Sequence, residues 1–131
     1  MDIKLENVLV SEEGLLKLCD FGFSTYGNNL VTKKLGTAAY MAPEIYDARS
    51  NPCLAKPTDI FSLGVLFFTL AFGAPPFHSA EHSDTYFRYL KMKPGSKEYF
   101  KFHPHSRALY NKGLIDESFQ TLLISMLQAE P

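Results

Sequence analysis

The chain has 131 residues, of which 46% are hydrophobic and 21% are charged, the composition of an ordinary globular protein. A chain of that length can form one domain with its own core. The net charge of −1 gives no reason to expect a nucleic acid or a membrane surface as a partner.

Two cysteines, Cys19 and Cys53, do not make a disulfide framework, so free thiols in a reducing compartment are the simpler interpretation. The first residues show no basic segment followed by an apolar one, as a signal peptide would. The longest apolar run, residues 60–72, is too short to cross a bilayer. We therefore expect a soluble protein of the cytoplasm, with the nucleus as the alternative.

The first predicted elements form a β-hairpin. Two short apolar segments, residues 8–10 and 15–19, are separated by a polar stretch that contains Gly14. Such a hairpin sets Asn7 and Asp20 at its two chain ends and therefore near each other in space.

Two loops and a short helix are predicted next. Residues 23–34 are rich in Gly, Asn, Ser, Thr and Lys without periodicity, which predicts a mobile loop. Pro43 suits the first turn of a short helix extending to Tyr46. Residues 47–56 are polar and contain a proline, so they predict a second loop.

A long apolar helix is the predicted centre of the fold. It begins with Thr58 or a neighbour as cap, runs to about Phe72, and ends at Gly73 before two prolines. Its apolar residues surround the axis, which predicts a helix buried on all sides. They are Ile60, Phe61, Leu63, Val65, Leu66, Phe67, Phe68 and Leu70.

The rest of the chain predicts two further helices with an irregular segment between them. Residues 81–92 form an amphipathic helix candidate, and residues 93–111, which are aromatic, basic and interrupted by prolines, are predicted to be irregular. The last helix covers about residues 117–127, with Asp116 or Ser118 as its cap.

Three motifs carry the chemical signal. Asp20, Phe21 and Gly22 follow a predicted strand, and an acid at a strand end beside a glycine is well placed to hold a metal ion. The sequence DIKLEN precedes them at residues 2–7, and GTAAYMAPE follows at residues 36–44. In this order and spacing they resemble the catalytic domain of a eukaryotic serine/threonine protein kinase.

The resemblance covers essentially the whole chain and implies a fold. It implies a partial protein kinase domain at residues 1–131, starting at the catalytic loop and continuing through the activation segment and the central helix. The fold class is then mainly α with a small β-hairpin, a kinase-like C-terminal lobe that is incomplete because no N-terminal lobe precedes it. Asp59 resembles the start of the lobe's central helix, and residues 118–131 resemble the segment near its end.

The resemblance also implies roles for four residues. Asp2 matches the base that accepts the proton of the substrate hydroxyl, and Lys4 lies near the transferred phosphate, in the pattern of serine/threonine kinases. Asn7 and Asp20 match the oxygen ligands of Mg²⁺, with ATP as the second cofactor and a protein as the phosphate acceptor. The alternative is that Asp2 and Asn7 form a turn pair and Asp20 caps a strand.

Three further residues match positions that contact the substrate. Glu6 corresponds to an acid that meets a substrate arginine in basic-directed kinases, but the second acid of that pattern is replaced by Thr69. A solvated surface charge is therefore the alternative for Glu6. Gly36 and Thr37 match the segment that supports the catalytic aspartate and shapes the peptide site, and a plain turn threonine is the alternative for Thr37.

Thr32, beside Lys33 and Lys34, is the candidate for an activating phosphate that would order the loop by pairing with cations. In the family the main partner of that phosphate is the arginine before the catalytic aspartate, a position held here by Met1. A solvated loop threonine is the alternative.

Glu44 resembles the acid that anchors the activation segment to a buried arginine. That arginine follows the position of Pro131, so we expect Glu44 to lack its partner. The glycine-rich loop, the strand lysine and its glutamate partner are also expected to be missing before Asp2. The chain is therefore expected to be an inactive kinase fragment of marginal stability. The alternative is a non-catalytic, pseudokinase-like binding module or a gene remnant.

Overall fold

A computed structural model describes residues 2–26 and 30–128 of the chain. Met1 and residues 129–131, to which the resemblance assigns positions in the kinase pattern, therefore lie outside the described residues. The elements in chain order are β1 (Val8–Val10), β2 (Leu16–Leu18), β3 (Leu30–Val31), β4 (Cys53–Leu54), α1 (Ala55–Phe72), α2 (Thr85–Met92), α3 (Tyr99–Phe102), α4 (Pro104–Asn111) and α5 (Glu117–Met126). Short 3₁₀ helices cover Leu5–Asn7, Ala38–Tyr40 and Pro43–Asp47.

The predicted hairpin is present. Strands β1 and β2 are antiparallel, with Val8 opposite Leu18, and β2 is one residue shorter at each end than predicted. The main chain pairs beyond the strands too, because the Cys19 N–H donates to the Asn7 carbonyl at 2.9 Å. Asn7 and Asp20 therefore lie at the same end of the hairpin.

The two predicted loops each contain a strand, which is a correction to the sequence interpretation. Strands β3 and β4 pair antiparallel, with Leu30 opposite Leu54 and Val31 opposite Cys53. Two-residue strands are too short to show the alternation that identifies a strand in sequence. This pairing connects the segment after Asp20 to the segment that leads into α1.

Helix α1 begins at Ala55, with Leu54 at its N-cap position, so the prediction that Thr58 or a neighbour caps the helix is wrong. Pro57 falls in the first turn, where a helix does not need the missing N–H, and the Thr58 hydroxyl donates to the Ala55 carbonyl at 2.7 Å. The predicted end is confirmed: Gly73 adopts φ +75°, and its N–H donates to the Thr69 carbonyl at 2.8 Å.

The prediction that α1 is buried on all sides is also wrong. Phe61, Val65 and Phe68 are at most 2% exposed, whereas Ile60 and Leu70 are 47% and 58% exposed. The helix therefore has a buried face and an apolar face that no described residue covers.

The prediction that the apolar run is too short for a bilayer needs correction as well, because the helix extends beyond residues 60–72. By length and composition, Ala55–Phe72 could cross a membrane, with a mean hydropathy of 1.3 over 18 residues. Core helices pass the same test, and in this structure the buried face of the helix lies in the core.

Helices α2 and α5 are capped by aspartates. The Asp84 carboxylate accepts the N–H groups of the first turn of α2 at 2.9 and 3.0 Å, so this helix starts later than the predicted residue 81. Asp116 caps α5 in the same way, again at 2.9 and 3.0 Å, as predicted. Both caps satisfy N–H groups that have no partner within the helix.

Residues 93–111 are not irregular as predicted, since they contain α3 and the whole of α4. Pro104, which was interpreted as a helix breaker, is the first residue of α4. A proline at that position starts a helix without losing a hydrogen bond.

The core is aromatic and lies between α1 and the helices that follow it. The Phe61 and Phe77 rings are 5.8 Å apart, and those of Phe68 and Tyr99 are 6.0 Å apart. The Tyr99 hydroxyl donates to the Pro76 carbonyl, which satisfies a polar group that would otherwise be buried without a partner.

Helix α5 packs closely on α1 because residue 64 of α1 is glycine. A Cβ atom there would lie 2.9 Å from the Met126 Cβ, closer than two such atoms can approach. Any larger residue at Gly64 would therefore push α5 away.

Candidate active site

Three predicted residues meet in one hydrogen-bonded group at the start of the chain. The Asp2 carboxylate accepts the Lys4 ammonium at 2.7 Å, the Thr37 backbone N–H at 2.9 Å and the Thr37 hydroxyl at 3.2 Å. Lys4 also donates to the Thr37 hydroxyl oxygen at 3.0 Å. Residues separated by more than 30 positions in sequence are thus joined around one carboxylate.

This group keeps Asp2 ionised. Burial of the Asp2 carboxyl raises its pKa, but the hydrogen bonds from Lys4 and Thr37 outweigh burial and leave the pKa below its usual value. The hydrogen bond to Asp2 in turn raises the pKa of Lys4, with the negative charges of Glu6 and Asp20 adding to the effect. At neutral pH the site therefore holds a carboxylate and an ammonium in contact.

Gly36 permits this arrangement. It adopts φ +121°, a conformation that other residues rarely reach, and a Cβ atom there would lie 3.4 Å from Asp2 Oδ1. The glycine thus lets the main chain approach the carboxylate closely enough for the Thr37 N–H to donate to it.

Asn7 is buried beside Asp2 with its side chain in a defined orientation. Its amide nitrogen donates to the Asp2 main-chain carbonyl at 2.9 Å. Because that carbonyl can only accept, the amide nitrogen must face it, and the Asn7 amide oxygen points the other way. An amide oxygen held like this is available to a cation.

Asp20 is exposed and has an unusual backbone conformation. Its φ of +59° is the only positive value for a non-glycine residue in the described part of the chain, and its carboxylate accepts the Gly22 N–H at 3.2 Å. Strained backbone of this kind is often found at functional sites. The charge of Asp20 helps to raise the pKa of Lys4, so Asp20 lies close enough to act on the hydrogen-bonded group of Asp2, Lys4 and Thr37.

Glu6 and Thr32 are not part of the hydrogen-bonded group. Glu6 is exposed and forms no hydrogen bond or ion pair within residues 2–26 and 30–128, although its charge acts on Lys4. Thr32 is exposed just after β3. The neighbouring Lys34 ammonium lies over the Tyr46 ring, 4.1 Å from its centroid, and not against Thr32.

Glu44 is half-buried and has no cation partner among the described residues. Burial raises the pKa of its carboxyl, and the charge of Glu44 adds to the effect of burial in raising the pKa of the Cys53 thiol. Glu44 lines a groove of about 510 Å³ together with Leu90, Lys91 and Leu127. Asp59, the remaining predicted residue, lies partly buried in the second turn of α1.

Ser62 and Tyr46 were missed by the sequence interpretation. The buried Ser62 hydroxyl donates to the Tyr40 carbonyl at 2.7 Å and so ties α1 to the segment after Thr37. The Tyr46 hydroxyl donates to the Ala38 carbonyl at 3.2 Å. Both bonds reach distant main-chain carbonyls, which leave no trace in a sequence pattern.

A family model describing the protein kinase domain matches residues 1–131. The chain belongs to the protein kinase family. It is 35% identical to serine/threonine-protein kinase Aurora-1 of Arabidopsis thaliana, over 99% of this chain and 43% of that protein. It is 40% identical to Aurora kinase B of Mus musculus, over 70% of this chain and 26% of that protein.

A third relative is the probable cAMP-dependent protein kinase catalytic subunit of Encephalitozoon cuniculi, at 32% identity over 93% of this chain and 36% of that protein. The chain spans less than half the length of each of these relatives. These matches confirm the resemblance to the catalytic domain of serine/threonine protein kinases that the sequence analysis described.

Protein kinases generally use ATP and Mg²⁺, and the residues present suit such a cation. Carboxylate and amide oxygens are the ligands that Mg²⁺ prefers, and Asp20 and Asn7 supply one of each at the same end of the hairpin. No group of three or more His, Cys, Asp or Glu residues that could hold a metal occurs among the described residues. Asn7 and Asp20 would therefore share the ion with oxygens from other sources, as Mg²⁺ bound to a nucleotide normally does.

Proposed function

We propose that this chain is the C-terminal lobe, from the catalytic loop onward, of a protein kinase. Such a kinase transfers the γ-phosphoryl group of ATP to serine or threonine in a protein. The observation that carries the proposal is the hydrogen-bonded group of Asp2, Lys4 and Thr37, with Asn7 bonded to the Asp2 main chain. Under this proposal residues 1–131 form one partial kinase domain.

Asp2 is the base and orienting group of the proposed reaction. Its depressed pKa keeps it ionised, so it can accept a hydrogen bond from the acceptor hydroxyl and take up the proton as the oxygen attacks. The bonds from Lys4 and Thr37 hold the carboxylate in one orientation, which lowers the entropy cost of aligning the hydroxyl.

Lys4 has two functions in the proposed site. It fixes the Asp2 carboxylate, and its ammonium offers positive charge where the transferred phosphoryl group would gather negative charge. The raised pKa of Lys4 means that this charge is present throughout the neutral range.

Asn7 and Asp20 would hold Mg²⁺, which supplies positive charge to the phosphates of the bound nucleotide. The amide nitrogen of Asn7, bonded to the Asp2 carbonyl, links this cation site to the base. A shift of Asn7 would therefore move the Asp2 main chain, and a shift of Asp2 would move Asn7. The bond thus fixes the position of the cation site relative to the base.

Replacing Asp2 in the full-length protein tests the proposal. We expect Asp2→Asn to lower kcat for phosphorylation of a serine-containing protein substrate by about 10²- to 10⁴-fold, because the amide cannot accept the proton. Glu12→Gln, which removes an exposed acid in the hairpin turn, is the matched control and should retain activity. Equal kcat values for Asp2→Asn and wild type would contradict the proposal.

The alternative, a non-catalytic binding module, gives a different result in the same assay. Wild-type protein that binds a protein partner but transfers no phosphate would support the module. Asp20→Ala separates the two further: loss of phosphotransfer with partner binding intact supports the enzyme, because Asp20 is assigned to the cation and not to the protein substrate.

A further inference from the structure

Lys34 is held in a defined position in the segment that leads to Gly36 and Thr37. Its ammonium lies 4.1 Å from the centre of the Tyr46 ring, a cation–π contact. The Tyr46 hydroxyl donates to the Ala38 carbonyl at 3.2 Å. Ala38 follows Thr37, whose N–H donates to the Asp2 carboxylate at 2.9 Å. A continuous series of contacts, through Tyr46 and the Thr37–Ala38 main chain, therefore connects the Lys34 ammonium to the Asp2 carboxylate.

The Tyr46 ring that contacts this lysine is itself held in place. It is partly buried and packs against the core, and burial raises the pKa of its hydroxyl, with the charges of Glu81 and Asp84 adding to the effect. The hydroxyl therefore stays protonated and keeps its bond to the Ala38 carbonyl. A ring held by its hydroxyl bond and by packing against the core limits where the Lys34 ammonium can lie.

The charge of Lys34 is not neutralised by a nearby acid. Lys34 is exposed, and it forms no ion pair with any residue in the described ranges 2–26 and 30–128. An aromatic ring attracts a cation without cancelling its charge. A peptide that presents its hydroxyl to Asp2 would therefore pass a fixed positive charge within a few residues, since an extended chain advances about 3.3 Å per residue.

We propose that Lys34, positioned by Tyr46, is a specificity-determining residue that favours substrates with an acidic residue close to the phosphorylated serine or threonine. This inference rests on the proposed kinase function and assigns a substrate feature to it. It concerns a different substrate position from the arginine contact suggested for Glu6, because Glu6 and Lys34 have opposite charges and belong to different segments. A substrate that carries both an acidic and a basic residue near the acceptor would satisfy both contacts.

Peptide binding to the full-length protein tests the inference without requiring turnover. A fluorescent serine peptide carries one glutamate, moved in turn through the positions that flank the serine, with glutamine at the same position as the neutral reference. At one position we expect the glutamate peptide to bind about twofold to fivefold tighter than the glutamine peptide in fluorescence anisotropy, the range of an exposed ion pair. Added salt should reduce this ratio.

Lys34→Met keeps most of the side-chain length but removes the charge, so we expect the glutamate preference to disappear. Lys112→Met is the matched control, because it changes the net charge equally at an exposed site after α4, and it should keep the preference. No glutamate preference in wild type, its survival in Lys34→Met, or its equal loss in Lys112→Met would each overturn the inference.

Phosphotransfer is measured separately with the same peptides. Absence of phosphotransfer in wild type would contradict the proposed function, while the glutamate-to-glutamine binding ratio would still decide the role of Lys34. The two proposals can therefore fail independently.

Discussion

The hairpin region, residues 2–26, and the helical region that begins with α1 are held together by different forces. In the hairpin the apolar side chains of Leu9 and Leu16 are 53% and 69% exposed, and the contacts that hold the region are the main-chain bonds between its strands and the hydrogen bonds to Asp2. In the helices the Phe68 and Tyr99 rings are fully buried in an aromatic core. Burial of apolar area provides most of the stability of a fold, whereas a single hydrogen bond provides little net stability.

This difference implies that the stability of the fold and the chemistry of the site depend on different parts of the molecule. The helical core supplies the free energy of folding, and the site depends on a few polar contacts that position side chains without adding much to that free energy. Changes in one region should therefore affect one property and spare the other.

The largest effect is expected from the core. Phe68→Ala removes a fully buried ring that contacts Tyr99 and Phe100, and we expect it to lower the free energy of unfolding by about 3–5 kcal/mol. Leu9→Ala removes a half-exposed side chain of the hairpin and should change the free energy of unfolding by less than about 0.5 kcal/mol. Urea unfolding followed by circular dichroism measures both. A comparable loss in Leu9→Ala would show that burial of apolar area holds the hairpin as it holds the helical core.

A smaller effect is expected from a buried histidine of the core. His103 packs against the rings of Phe68 and Tyr86, at 4.9 and 5.0 Å, and its Nδ1 has no hydrogen-bond partner among the described residues. Burial, with a contribution from His105, lowers the pKa of His103 to about 4. The folded protein therefore excludes the charged form.

The direction of the pH dependence follows from that shift. Between the unfolded pKa near 6.5 and the folded value of about 4, the unfolded chain binds more protons, so the free energy of unfolding falls as the pH falls through this range. We expect His103 to lower the free energy of unfolding by about 3 kcal/mol, with the full decrease reached near pH 4. His103→Phe should remove that slope in urea unfolding measured across the range, while His105→Phe, at an exposed site, should keep most of it. An unchanged slope in His103→Phe would assign the acid sensitivity to other groups.

The sequence predicted elements well where a strong local signal exists. The hairpin, the αL glycine after α1 and the aspartate cap of α5 each depend on residues adjacent in sequence, and all three predictions are confirmed. Strands β3 and β4 were missed because each has only two residues and is defined by its distant partner. The exposed face of α1 was missed because burial depends on which elements pack beside a helix, and composition does not report that.

The same distinction explains what was predicted of the site. Asp2, Lys4 and Asn7 lie within one short motif, so a resemblance could identify them together. The resemblance also implied that Thr37 supports Asp2, although no local pattern shows a contact between residues more than 30 positions apart. The individual hydrogen bonds and the positive φ of Gly36 could be seen only in the folded chain. Tyr46 and Lys34 belong to no motif, and only the folded chain brings the ring beneath the ammonium.

A smaller effect on stability than those of Phe68 and His103 is expected from the site itself, through the Thr37 hydroxyl. Thr37→Ala removes this hydroxyl from Lys4 and Asp2 but keeps the backbone N–H bond to Asp2, so it should lower the free energy of unfolding by at most about 1 kcal/mol. It should nevertheless lower kcat for phosphotransfer, because Asp2 and Lys4 each lose one of the bonds that orient them. The pKa of Asp2 should rise toward its usual value, since one of the groups that depress it is lost. The acidic limb of the kcat profile would then move to higher pH.

Thr37→Ser is the matched control, because serine restores the hydroxyl at the same position and should recover both the rate and the pH profile. A large loss of stability in Thr37→Ala would mean that the site contributes to the folding free energy as the core does. An unchanged acidic limb would mean that the Thr37 hydroxyl packs beside Asp2 without tuning it. The expected result, a shifted pH profile at nearly constant stability, requires polar contacts that act on the chemistry of Asp2 alone.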